Sequence, residues 1–260
     1  APDEQTAEKS WTIEKAQNRF IVPPALTGWA EGGTANAPVA AAMYGTPVFT
    51  YSAEADGTYS PAIPNGGKAG TYYLKATVSG TANYAGLEQT VRFTVLPAGT
   101  ALTTVTITAP DEALVYGDAL DLSALSAGDA VVSGLPAGKT LADAATGTLS
   151  FATNYAQGAN AGSYQLFAAG LTARTGYAIV CRPGEITVSR KPVGLQWSVG
   201  SFTYDGKEKT VTAQVTASDL VAGDAIAVTG YEFNAAAGIR NAATDAGTYT
   251  AHATAFAGAN

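Results

Sequence analysis

One phrase recurs three times in the chain: AGTYYLKATVSG at 69–80, AGSYQLFAAG at 161–170 and AGTYTAHATA at 246–255. Recurrence constrains a fold more than any single residue does. Each copy must build the same small unit, and such units form arrays. After each tyrosine, apolar and polar residues alternate. Tyr72, Leu74, Ala76 and Val78 share one face of an extended chain, with Thr71, Tyr73, Lys75 and Thr77 on the other. Tyr164, Leu166 and Ala168 oppose Ser163 and Gln165; Tyr249, Ala251 and Ala253 oppose Thr248, Thr250, His252 and Thr254. Period two with one apolar face is the pattern of a half-buried strand, and no stretch keeps a helical apolar stripe over three turns. The predicted class is all-β.

Two further landmarks recur in the same order. MYGTPVFTYSA at 43–53, VYGDALDLSA at 115–124 and TYDGKEKTVTA at 203–213 each carry a Tyr (Tyr44, Tyr116, Tyr204) and then a Gly within two residues. That glycine suits a turn or bulge with positive φ. A closing strand follows at 92–98 (RFTVLPA, Phe93 and Val95 inward) and at 185–191 (EITVSRK, Ile186 and Val188 inward). The same pattern stands at 10–16 as SWTIEKA, with Trp11 and Ile13. The boundaries that follow are modules at 17–98, 99–191 and 192–260. Residues 1–16 are then a tail plus the closing strand of a preceding module. The third module stops at GAN (258–260), which aligns with GTAN at 80–83, so it is expected to lack its closing strand. Residues 10–16 are expected to pack on the first module as an extra edge; the alternative is that they fill the open slot of another molecule. Junctions marked by Pro23-Pro24, Pro97 and Pro192 are short and favour a stiff array.

Asp245-Ala246-Gly247 and Asn160-Ala161-Gly162 read as turns leading into the tyrosine. The phrase DAGTYT at 245–250 resembles the immunoglobulin tyrosine corner, in which the hydroxyl bonds to upstream backbone. On that resemblance Tyr72, Tyr164 and Tyr249 are structural corners, largely buried, and Leu74, Leu166 and Ala251 stand where the immunoglobulin cysteine would be. YDGKEKTVTA at 204–213, followed by VAGDAIAVTG and DAGTY, resembles the MBG/YDG-type repeats of bacterial surface proteins. Residues 27–88 look like a related Ig-like surface repeat. The resemblance spans about residues 10–260. It implies three tandem Ig-like β-sandwich modules in an elongated array, an extracellular place at the bacterial cell surface or cell wall, and a spacer, stalk or adhesive role. It brings no catalytic residue and no cofactor. The implied partners are other modules of the same surface protein, with the chain itself a monomer. One alternative is recognition of a glycan or host protein by the divergent loops 26–40, 134–148 or 232–244. Another is an accessory module of a secreted carbohydrate-active enzyme.

Composition removes other classes. A net charge of −7 without a basic cluster argues against nucleic acid. No apolar run reaches the length of a membrane span. Cys181 and His252 are each the sole residue of their type and fall in different repeats, so neither a thiol nucleophile nor a zinc site is expected. Asp118, Asp121 and Asp129 are too few and too irregular for a calcium loop and read as solvated edges. Tyr73, Phe167 and Trp29 are the candidate glycan-stacking rings; the competing reading for the first two is cover for a neighbouring strand or junction. Lys75 and Lys139 lack the recurring acid and amide partners that an isopeptide bond requires.

Overall fold

The computed structural model describes residues 11–198, 200–233 and 242–258. Strand makes up 45% and helix 5%, so the protein is all-β. Every sheet draws its strands from one of three consecutive stretches. The first holds β1 (Phe20–Ala25), β2 (Val39–Ala42), β3 (Val48–Ser52), β4 (Gly70–Val78) and β5 (Leu87–Val95), arranged as β1-β2 and β3-β4-β5. The second holds β6 (Thr103–Thr108), β7 (Glu112–Val115), β8 (Val131–Ser133), a one-turn helix α1 (Leu141–Ala144), β9 (Ala145–Thr153), β10 (Gly162–Ala173), β11 (Tyr177–Arg182) and β12 (Gly184–Ser189). Its sheets run β11-β6-β8 and β7-β12-β10-β9. The third holds β13 (Leu195–Trp197), β14 (Lys209–Thr210), β15 (Ala213–Val215), β16 (Ala227–Phe233), β17 (Ala242–Ala243) and β18 (Ala251–Ala257), as the pairs β13-β15, β14-β17 and β16-β18.

By proximity the residues fall into two compact units. One runs to Glu112 and takes up Asp121–Tyr155 and Tyr164–Ile186; the other holds Ala113–Leu120, Ala156–Ser163 and the chain from Thr187 onward.

In the first unit the alternation of β4 becomes a core. β4 lies between β3 and β5, antiparallel to both, with Tyr72 opposite Phe93 and Leu74 opposite Val91. Tyr72, Leu74, Ala76 and Val78 are buried, as are Phe93 and Val95 on β5. Trp29 joins them, stacked on Phe93 with ring centroids 5.7 Å apart. Each large side chain so buried contributes about 1.5–3 kcal/mol. In β10 the alternation breaks. Leu166, Phe167 and Ala168 are all buried, because the outer face at Phe167 packs on Val22 of β1 and Ala41 of β2. Ile186 and Val188 of β12 are buried as well.

Residues 11–15 form no strand. Ala16 alone bridges to Tyr84: its amide donates to the Asn83 carbonyl at 2.8 Å, and its carbonyl accepts from the Ala85 amide at 2.8 Å. Trp11 is 77% and Ile13 79% exposed, which corrects the expectation of an extra edge on the first module. The physical reason is that β5 already fills the closing position there with Phe93 and Val95. Ser10 lies outside the described residues, as do residues 234–241 of the third divergent loop and the final two residues of GAN.

The second unit has a thinner interior. Ala213 and Val215 of β15 and Tyr231 of β16 are buried; Trp197 leans on Tyr231 with centroids 5.9 Å apart. The Tyr231 hydroxyl accepts from the Ala213 amide at 3.0 Å. Phe202, Tyr204, Tyr249 and Phe256 remain exposed.

Candidate functional site

The recurring residues were the first candidates, and their geometry is mainly structural. The Tyr72 hydroxyl donates to the Lys68 carbonyl at 2.8 Å, and the Tyr249 hydroxyl donates to the Asp245 carbonyl at 2.9 Å. Both bonds reach back four residues. Tyr164 is half-buried and meets Tyr155 edge-on at 5.3 Å. The rings differ in burial: Tyr72 is 3% exposed and Tyr249 40%. The expectation that all three corners are largely buried therefore needs correction at Tyr249. Opposite Tyr72 stands Phe93; among the described residues β18 is paired with β16 alone.

At the first and third corners the glycine lies against the tyrosine ring. A Cβ on Gly247 would sit 3.2 Å from the Tyr249 ring, and one on Gly70 would sit 3.6 Å from the Tyr72 ring. The glycine of the other landmark does take positive φ in every copy: +86° at Gly45, +95° at Gly117 and +72° at Gly206.

The proposed glycan-stacking rings do not form a platform. Trp29 is 6% exposed and belongs to the core, and Phe167 is buried against Val22 and Ala41. Trp29 is correctly a residue between strands, but Phe93 covers it. Tyr73 is half-buried, facing Ser52 and Arg92 on its flanking strands.

The acidic residues close local turns. The Ser123 hydroxyl and amide donate to Asp121 at 2.6 and 2.9 Å and hold its carboxyl below the usual carboxylate range. The Ser126 amide and hydroxyl do the same for Asp129 at 2.7 and 2.8 Å. Asp118 accepts from the Val115 amide at 2.9 Å. Among the described residues no three His, Cys, Asp or Glu side chains are grouped to hold a metal ion. Lys75 lies over the Tyr59 ring at 4.5 Å and 3.9 Å from Glu88, and Lys139 lies 3.5 Å from Asp143. Cys181, half-buried on β11, has its thiol pushed up by burial, the opposite of an activated nucleophile. His252 is exposed on β18 opposite Glu232.

Sequence reasoning missed a cleft of about 340 Å³ in the second unit. Phe202, Tyr204, Gly247 and Tyr249 line it together with Ala251, the first residue of β18. The signal was present: Phe202 and Tyr204 are two apart in SFTYDG and so fall on one side of an extended chain.

Residues 105–187 match the family model described as MBG domain (YGX type). The match lies in the second stretch and takes in Tyr116-Gly117. No curated protein matches the chain significantly. Among solved structures the chain is similar to the N-terminal four Ig domains of Dscam1 isoform 8.4, at 11% identity and a TM-score of 0.16, over 72% of this chain and 46% of that one. Isoform 4.4 of the same protein gives 13% identity and a TM-score of 0.15, over 71% and 45%. The chain thus spans less than half the length of these structures.

Proposed function

We propose that the chain is a non-catalytic repeat segment of a secreted bacterial surface protein, acting as a spacer that carries other parts of that protein. The observation that carries this reading is the confinement of every sheet to one of three consecutive stretches, 20–95, 103–189 and 195–257. That is what three tandem Ig-like modules with boundaries near 98 and 191 require. The MBG match over 105–187 supports the middle one and the surface location. The recurring side chains also support it, since they form cores and turns rather than a shared chemical group. Modules of about 85 residues are each roughly 30 Å across, whereas one compact body of this length is about 47 Å.

Small-angle scattering on the monomer tests the spacer. A maximum dimension of about 90 Å is expected from three such modules in line, and one near 50 Å would overturn it. The adhesive alternative loses two of its three proposed rings, because Trp29 and Phe167 are buried. A glycan array probed with the whole chain is expected to stay blank.

A further inference from the structure

Most ring pairs among the described residues have centroids 5.3–6.1 Å apart, the offset or edge-on spacing that ring quadrupoles favour. Tyr44 and Tyr84 depart from that rule. Their centroids are 3.5 Å apart and their planes 10° from parallel. Carbon atoms meet at about 3.5–4.0 Å, so such rings have no room to slide sideways, and one lies directly over the other. The Tyr84 hydroxyl is hydrogen-bonded to that of Tyr44, which puts both hydroxyls at the same end of the stack. Each ring carbon next to a hydroxyl therefore faces its counterpart on the other ring.

Two phenols do not choose a face-to-face stack by themselves; here the backbone holds it. Tyr44 precedes β3. Its carbonyl accepts from the Asn18 side-chain amide at 2.6 Å, and its own amide donates to Asn18 Oδ1 at 3.2 Å. Gly45 beside it is closed against β4: a Cβ there would lie 2.8 Å from Val78 Cγ1. Tyr84 stands between β4 and β5. Its amide donates to Thr81 Oγ1 at 3.0 Å, and its carbonyl accepts from the Thr81 amide at 3.0 Å. Both side chains are half-buried, so part of each ring stays open to solvent. Two phenols held parallel, in contact and with their hydroxyls together are the two halves of a dityrosine.

We propose that Tyr44 and Tyr84 form an oxidative modification site, joined through their Cε carbons into a dityrosine by a peroxidase acting with hydrogen peroxide. Each phenol gives up one electron and its hydroxyl proton. The two phenoxyl radicals form a carbon–carbon bond, and the ring proton at each joined carbon moves to the oxygen beside it, restoring two phenols. One hydrogen peroxide takes up the two electrons and two protons and becomes two waters. The stack supplies the proximity, since reacting atoms about 3–3.5 Å apart are already in attack geometry. The new bond encloses β3 and β4. Such a cross-link restricts the unfolded chain, and a pull on the two ends of the chain passes through it instead of through those two strands. That consequence rests on the spacer reading; the coupling itself does not.

The test treats the full chain, dilute enough to suppress coupling between molecules, with a peroxidase and an equimolar amount of hydrogen peroxide. The expected product is a monomer lighter by two hydrogens that shows dityrosine fluorescence. Trypsin then releases the peptide 76–92, whose sole tyrosine is Tyr84, joined to the peptide 20–68. Fragmentation is expected to place the bond at Tyr44 and not at Tyr51 or Tyr59. Tyr155 and Tyr164, edge-on at 5.3 Å, are the internal comparison and are expected to couple far less. A first product at another pair, coupling only between molecules, or no coupling overturns the proposal. Tyr44→Phe and Tyr84→Phe keep the ring and remove the hydroxyl. Each is expected to abolish the joined peptides with little change in melting temperature, and a product that persists overturns the assignment; the mapping on the unaltered chain stands without them. A compact particle in scattering would remove the spacer and leave the coupling, whereas failure to couple leaves the spacer untouched.

Discussion

Tyr72 and Tyr249 sit in the same phrase, bond to the same carbonyl position four residues back, and differ more than tenfold in exposure, 3% against 40%. The comparison separates two properties that the corner motif is usually read as joining. The hydroxyl bond spans four residues, so local sequence suffices to form it. Burial of the ring needs something packed on its other side. At Tyr72 that is Phe93, itself held by Trp29 and Tyr51. At Tyr249 the described residues place Gly247 and an open cleft beside it.

The largest expected effect tests whether the two regions differ in stability as well as exposure. Leu74→Ala removes a fully buried side chain between two strands and is expected to cost about 2–5 kcal/mol in chemical denaturation. Ala251→Gly, at the aligned position, is expected to cost only about 0.5–1 kcal/mol, chiefly through backbone entropy. Equal costs would erase the distinction. The second test uses the landmark glycines. Gly117→Ala places a Cβ 2.5 Å from Val221 Cγ2 at positive φ, whereas Gly206→Ala meets open space at a similar φ. The first is expected to cost about 2 kcal/mol or more, the second about 1, read as shifts in denaturation midpoint.

Smaller still is the hydroxyl itself. Tyr72→Phe is expected to cost about 0.5–1.5 kcal/mol and Tyr249→Phe less, because water replaces the lost partner more readily at the exposed ring. The last prediction concerns acid. Asp121, Asp129 and Asp143 are all held below the ordinary carboxylate value, each chiefly by bonds from one neighbouring Ser or Thr. A depressed carboxyl contributes stability that is present above its unfolded value, near about 4, and is lost as pH falls through the folded value. The melting temperature is therefore expected to be flat above about pH 5 and to decline slightly below pH 4, and Asp143→Asn is expected to flatten part of that decline. All three are fully exposed, so the decline is shallow. A rise in melting temperature on acidification would reverse the assigned sign.

Much of the strand layout was legible because a strand announces itself in neighbouring residues. The alternation from Tyr72 to Val78 and the pair Phe93/Val95 needed only period two. Phe167 and Trp29 were not legible in the same way. A side chain on the outer face of β10 looks solvent-facing until Val22 and Ala41 arrive from more than a hundred residues away. Trp29 looks like a loop ring until Phe93 stacks on it. The cleft was hidden for the same reason, since Phe202 and Tyr249 are far apart in the chain.

The sequence by itself determined the all-β class, the repeating order of landmarks, the landmark glycines that take positive φ, and the reach of the Tyr72 and Tyr249 hydroxyls to a carbonyl four residues back. These depend on interactions spanning a few residues, so they recur in copies of a phrase whose surroundings differ. Tertiary structure alone decided which ring is core and which lines a cleft, because burial belongs to the surface that packs against a strand and not to the strand.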